Sequence, residues 1–412
     1  MCSLHRSSDF ERRLAEAERI WRSNRCIAAP CIVGYRLWIR RFARYCQLHG
    51  LDERSELTRE GAERFARWWR AKGSPRRRGQ LQHAIDGSRS ALRAWAFARS
   101  VLGEALPLWQ PPPCMPSKSA VLGEFAAYLR EVRGSPPGTI RGQLAHVARF
   151  EAHRRRYAVS RRSVRLRDID RFIIDCRCRY ARKTVAGICS SLRSYLRFLH
   201  VTGRVHVDLA AAVLSPLVRV SEQPHRALPW RDVQRILRAV DRSNPCGRRD
   251  YALLLMMSAY GLGAGEAIGL RLDDIDWQAR TVRVRRPKNG NVFLLPLLPA
   301  VARALASYLR HGRPRLTPSR QLFVTMRAPH KSLGGSVTVR HILHSAARRA
   351  GVSAPFLGTH VLRHTHACRQ LELGTPTKLI GDILGHRDPE STSAYLRVAT
   401  ERLRALSLPV PT

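Results

Sequence analysis

The hydrophobic positions of this chain recur mostly every three to four residues, the spacing at which side chains share one face of an α-helix. Residues 1 to about 28 read as one amphipathic helix, with Phe10, Leu14, Ala17, Ile20 and Trp21 on its apolar stripe. Further helical faces follow at Tyr35, Ile39, Phe42 and Tyr45, at Leu57, Ala62, Phe65 and Trp69, and at Leu92, Trp95 and Leu102. From Val121 to Val213 the order repeats, with Ile140, Leu144, Val147 and Phe150, then Leu166, Ile169 and Phe172, then Leu192, Tyr195 and Leu199. Ser90 to Trp95 and Ser190 to Tyr195 align position by position, so two copies of one small helical fold are as good a reading as two unrelated bundles.

The period changes between Asp273 and Leu297. Val282 and Val284 alternate with Thr281, Arg283 and Arg285 as in a half-buried strand, and a second strand fits Asn291 to Leu295. The Asn289-Gly290 pair between them is a hairpin signal. Helices are expected around it at Trp230 to Val240, Asp250 to Ala259, Pro299 to His311 and Val337 to Ala350. The fold class is therefore mainly α, with helical domains followed by a mostly helical domain that carries one small antiparallel β-sheet.

Proline marks the joints. Pro111, Pro112, Pro113 and Pro116 cannot continue a helix, and Ser215 to Pro229 is polar with three prolines. The expected organisation is an N-terminal helical domain at 1–106, a linker at 107–118, a second helical domain at 119–214, a linker at 215–227 and a C-terminal domain at 228–408.

Charge narrows the partner. The 412 residues carry 73 Lys plus Arg against 31 Asp plus Glu, a formal net charge of +42, which calls for a polyanion, with nucleic acid ahead of a membrane surface. Clusters at Arg76, Arg77 and Arg78, and at Arg154, Arg155, Arg156, Arg161, Arg162, Arg165 and Arg167, read as backbone contacts to DNA. The longest apolar run, Ala252 to Gly265, falls short of the ~18 residues that a bilayer span needs, so no membrane role is expected. The ten cysteines include no Cys-x-x-Cys pair and no secretory signal is visible, which points to reduced thiols in a cytoplasm.

The chemistry concentrates near the C-terminus. Thr359 as cap and Gly374 as stop frame a helix that brings His360 and Arg363 to one face. A second helix fits Pro376 to Leu384, Gly385 breaks it before His386, and Asp388-Pro389 starts a third that carries Tyr395. Arginine offers a charged fork to two phosphate oxygens, histidines donate or move protons, and a tyrosine hydroxyl can be a covalent nucleophile. His360, His364 and His366 could also be read as a metal cluster of a nuclease, but a position six residues on leaves the face shared by i and i+4, and no carboxylate joins them.

His360-x-x-Arg363, Leu384-Gly385-His386 and Tyr395, nine residues beyond that histidine, resemble the tyrosine recombinase (phage integrase) family, with flanks matching over roughly Ala227 to Leu406. The resemblance implies a metal-free, cofactor-free recombinase or integrase. Tyr395 would attack DNA to form a 3′-phosphotyrosine, Arg363, His360 and His386 would serve the phosphate, and Lys288 on the hairpin would be the general acid. It implies a SAM-like core-binding domain at Val121 to Val213 and an integrase-type catalytic domain after it. It also implies double-stranded DNA as partner, assembly into homo- or hetero-multimers with Ala399 to Leu408 as a docking segment, and work in DNA integration or transposition of a mobile element at a prokaryotic nucleoid.

One departure stands out. The family's first catalytic arginine aligns with Gly263, while Glu266 three residues on is in place. Arg271, Arg285 and Arg286 are nearby in sequence, but a side chain from another element must land within about half an ångström to substitute. The competing reading is a relative that occupies or pairs recombination sites without cutting.

Overall fold

The computed structural model describes residues 2–24, 27, 29–71, 78–107, 109, 119–157, 164–217, 227–286 and 292–385, the side chains of 2–7 and 78–85 excepted. The chain forms two compact units, one of residues 112–224 and one that joins residues 1–111 to 225–412. It is mainly helical with a single three-stranded sheet among the described residues, as the periodicity indicates.

In the first block α1 (Cys2–Ser23), α2 (Ala29–Leu48), the short α3 (Glu53–Glu56), α4 (Arg59–Ala71) and α5 (Arg78–Val101) form a bundle. Leu14, Ala17, Trp21, Ile39, Phe42, Phe65, Leu92 and Trp95 fill its core. The stripe expected on the first helix is therefore the buried one, whereas Leu102 lies past the end of α5 and is exposed. Asp52 caps α3 by accepting from the backbone N–H groups of Arg54 and Ser55, which closes the turn into α4.

The 112–224 unit contains α6 (Ala120–Glu131), α7 (Pro137–Tyr157), α8 (Leu166–Arg179) and α9 (Arg182–Val201). Phe125, Val147, Phe150, Ile169, Phe172, Leu192 and Tyr195 make its core. In each bundle the last helix packs on the three long helices before it, α5 on α1, α2 and α4, and α9 on α6, α7 and α8. Leu92 and Leu192 are both fully buried at matching points of α5 and α9.

The C-terminal region starts with α10 (Trp230–Arg238) and α11 (Pro245–Tyr260). Asn244 caps α11, its Oδ1 accepting from the Gly247 N–H at 2.8 Å. The apolar run thus lies on a core helix as far as Tyr260, with Leu253, Leu254, Met256 and Met257 buried, and breaks at Gly261. After the short α12 (Ala264–Gly269), strands β1 (Ile275–Asp276), β2 (Thr281–Arg285) and β3 (Val292–Pro296) pair antiparallel in that order. Val282 faces Leu295 and Val284 faces Phe293, which sends both valines into the core and Arg283 and Arg285 outward. Helices α13 (Pro299–His311), α14 (Ser336–Arg349), α15 (Val361–Glu372) and α16 (Thr377–Leu384) complete the region.

The first bundle docks on this region. Asn24, just past α1, accepts from the Leu316 N–H at 2.8 Å and donates to His330 Nε2 at 2.9 Å. His330 in turn sends Nδ1–H to the Thr325 carbonyl at 3.1 Å and meets the Phe97 ring edge-on at 5.0 Å. Both Asn24 and His330 are buried, and burial holds the imidazole below its ordinary pKa, in keeping with a neutral ring whose Nε2 accepts.

Candidate active site

The site begins where α11 must stop. Gly261 takes a left-handed conformation (φ 62°), and a Cβ there would stand 2.8 Å from both the His366 ring and a Leu384 methyl, so only glycine fits. The chain then turns into Gly263, whose ordinary extended backbone (φ −70°, ψ 154°) any residue could adopt. Glu266, on α12, reaches back and accepts from the Gly263 N–H at 2.8 Å, as a helix-capping carboxylate does.

Glu266 sits between two arginines. Arg363, in the first turn of α15, donates Nη1–H to Glu266 Oε2 and to the Gly261 carbonyl, both at 3.1 Å, and Nη2–H to the Leu384 carbonyl. Arg286 follows β2 directly, and its Nη1 lies 3.6 Å from the other carboxylate oxygen, Oε1. It donates Nη2–H to the Ile383 carbonyl and lies 4.6 Å from the Phe293 ring centre. Among the described residues two cations thus share one anion, a local surplus of one positive charge, and together they hold the last two carbonyls of α16. Arg286 is only 4% exposed, and burial pulls its guanidinium below the ordinary arginine pKa, opposed by Glu266 and reinforced by the positive charge of Arg363.

Gly385 ends α16 in the left-handed region (φ 63°, ψ 44°), and a Cβ there would lie 2.6 Å from Arg286 Nη1. The Leu384-Gly385 step is therefore shaped by the arginine beneath it, and His386 is the next residue in the chain. His386, Tyr395 and Lys288 lie outside the described residues, and so do Arg76, Arg77, Arg161, Arg162, the side chain of Arg78 and the segment 399–408.

His360 is the residue just before α15, so it and Arg363 lie within one turn. It borders a shallow cavity of about 290 Å³ with Arg340, Thr359, Phe356 and His364. His366 points the other way, into the core. Its Nδ1–H donates to the Ser258 carbonyl at 3.1 Å, and burial, with help from the Arg363 charge, pushes its pKa down. Among the described residues no three His, Cys, Asp or Glu side chains gather as a metal site.

Of the arginines expected on DNA, Arg155, Arg156, Arg165 and Arg167 are exposed, but Arg154 is not. It is 8% exposed and paired with Glu151 at 3.1 Å, a carboxylate that also accepts from the Tyr195 hydroxyl. The expectation of an unpaired cation fails there because position 154 falls on the inward face of α7. The nearby arginines also sort themselves. Arg285 pairs with Asp274 at 2.6 Å on the outer face of the sheet, while Arg286 enters the site. The strand pattern carried that signal, since 282, 284 and 286 share one parity and the first two are buried valines.

Residues 226–402 match the phage integrase family. The integrase/recombinase y4rF of Sinorhizobium fredii is 31% identical over 328 residues, covering 78% of this chain and 76% of that protein. The chain belongs to the phage integrase family. Another relative from the same organism, y4rA, is 37% identical over 256 residues, which are 61% of each protein. Tyrosine recombinase XerA of Pyrococcus furiosus is 27% identical over 70% of this chain and 92% of that one. The fold of this integrase-family chain is that of XerH bound to its difH substrate (TM-score 0.51, 14% identity, 84% of this chain and 93% of that one). It is shared by a lambda integrase dimer on a core site (TM-score 0.52, 18% identity, 67% and 94%). Among the described residues no helix is long and apolar enough to cross a membrane.

Proposed function

We propose that this chain is a site-specific DNA recombinase that cuts and rejoins duplex DNA through a 3′-phosphotyrosine at Tyr395. The Tyr395 oxygen bonds to the scissile phosphorus and loses its proton to a histidine of the site, and the bond from phosphorus to the 5′ oxygen breaks. That oxygen leaves as a hydroxyl with a proton from Lys288. Attack by a 5′-hydroxyl reverses the step and releases the tyrosine, so the bond energy is kept and neither metal nor nucleotide is consumed.

The observation that carries this reading is the convergence of Arg363 and Arg286 on Glu266, at the end of the helix that leads into His386. Each side chain is placed by a different element, which a phosphate pocket requires and a solvent-facing charge cluster does not. The net charge of +42 and the exposed Arg155, Arg156, Arg165 and Arg167 support a role for residues 119–214 as a core-binding domain on the duplex, beside a catalytic domain at residues 228–408. The reading extends to assembly as a multimer on DNA, in line with the dimeric and tetrameric DNA complexes of lambda integrase, and to integration or transposition, in line with the Tn1549 transposon integrase; work at a prokaryotic nucleoid belongs to the same proposal.

The test is covalent trapping. The full chain is incubated with nicked duplexes carrying the site it selects from a randomised library, and attachment is read on a denaturing gel. A covalent complex lost in Tyr395→Phe is the expected result. Tight binding with no covalent complex would instead mark a relative that occupies sites without cutting.

A further inference from the structure

We propose that Arg286 is the second phosphate ligand of this site, donating to the non-bridging oxygens beside Arg363 and supplying from just past β2 the guanidinium that Gly263 lacks. The inference deepens the strand-transfer reading above and rests on it.

Three observations carry it. Arg286 is 4% exposed, and its Nε–H is buried with no hydrogen-bond partner. A buried donor left unmade is costly, and among the described residues none supplies the acceptor, so this N–H is available to a bound anion. Second, Glu266 is divided between two guanidiniums, Oε2 to Arg363 at 3.1 Å and Oε1 to Arg286 at 3.6 Å. One carboxylate carries a single charge against two, so among the described residues the cluster keeps a surplus positive charge that a bound phosphate would offset. Third, Gly263 has space above it. A Cβ there would meet nothing nearer than Glu266 Oε2 at 3.6 Å, so a side chain from position 263 and the Arg286 side chain would approach the same carboxylate from two elements.

A purely structural role accounts for less. Holding the Ile383 carbonyl needs one neutral N–H, which a glutamine supplies without the cost of burying a cation. On DNA the phosphate oxygens replace neutral carbonyls as acceptors, and the hydrogen bonds to the charged oxygens are the stronger ones. As Tyr395 bonds to phosphorus and the 5′ oxygen departs, negative charge grows on the two non-bridging oxygens, one facing each guanidinium.

The test compares Arg286→Ala and Arg286→Gln with the wild-type full chain. Nicked duplexes carry the library-selected site with either an ordinary scissile phosphate or a methylphosphonate, in which one charged oxygen is replaced by methyl. The expected result is a loss in the rate of covalent attachment of at least about a hundredfold on the phosphate, the scale of one lost transition-state donor. On the neutral methylphosphonate the loss shrinks below about tenfold, and Gly263→Arg restores at least about tenfold to the Arg286 variants on the phosphate. Arg286→Gln keeps a donor for Ile383 and covers the case in which the alanine variant does not fold. An equal loss on both DNAs would make Arg286 a prop for α16 and overturn the proposal. Unchanged rates in both variants would do the same while leaving Tyr395 chemistry intact, as would a wild-type chain that attaches only after Gly263→Arg. Absence of attachment by the wild type and by Gly263→Arg alike would remove both this proposal and the reading beneath it.

Discussion

Gly385→Ala tests the packing at the centre of the site. At φ 63° and ψ 44° an alanine is in the left-handed region, at a cost of about 1–2 kcal/mol. The added Cβ would also fall 2.6–2.8 Å from Arg286 Nη1, Cδ and Cζ, so the guanidinium must shift off Ile383 and Glu266. Overpacking of this kind costs a further 1–3 kcal/mol or so. The sum, about 2–5 kcal/mol, should open α16 locally and speed amide exchange there by roughly thirtyfold to several thousandfold, at about 1.4 kcal/mol per factor of ten. Gly351→Ala is the reference, since it shares the left-handed backbone (φ 65°) but meets only a guanidinium nitrogen at 3.7 Å. It should pay the backbone cost alone. Hydrogen exchange read by mass spectrometry on α14 and α16 peptides measures both. In an Arg286→Ala background the second contribution of Gly385→Ala should vanish, because the atoms it strikes are gone. Equal effects of Gly385→Ala and Gly351→Ala, or an unchanged Gly385→Ala effect without Arg286, would refute the steric account.

Arg154→Ala breaks a buried ion pair and should destabilise the 112–224 unit by about 3 kcal/mol in urea unfolding, whereas exposed Arg155→Ala should stay within about 0.5 kcal/mol and lower the salt slope of DNA binding by roughly one. His330 has a folded-state pKa below its ordinary 6.5, so its contribution to docking of the first bundle is complete above that value and declines as pH falls through 6.5 toward the lower folded value. Exchange protection of the α1 C-terminus should fall with it, against a flat profile in His330→Gln; Asn24, Thr325, Phe97 and Arg327 are the groups around that ring. Gly263→Arg by itself should change urea stability by less than about 1 kcal/mol, since the backbone there is ordinary and the space open; a larger loss would contradict the geometry at Glu266.

What the sequence by itself determined is whatever depends on local spacing. The 3.6-residue period set the helices and their buried faces, as at Leu14, Trp21, Phe42 and Leu192; the alternation at Val282 and Val284 set the strand; and the spacing of His360, Arg363, Leu384-Gly385-His386 and Tyr395 set the family. Asn244, Gly261 and Gly385 ended or began helices as their chemistry dictates. The tertiary structure alone decided which charges met. Arg286 and Arg285 are adjacent and chemically identical, yet one parity puts the first beside Glu266 and the other sends the second to Asp274. Arg154 belongs to a basic run but turns inward to Glu151, and the first bundle joins the C-terminal region through Asn24 and His330, 306 residues apart. Local pattern is written in backbone periodicity that neighbours share, whereas the pairing of buried charges depends on distances between elements far apart in the chain, and those exist only once the core has packed.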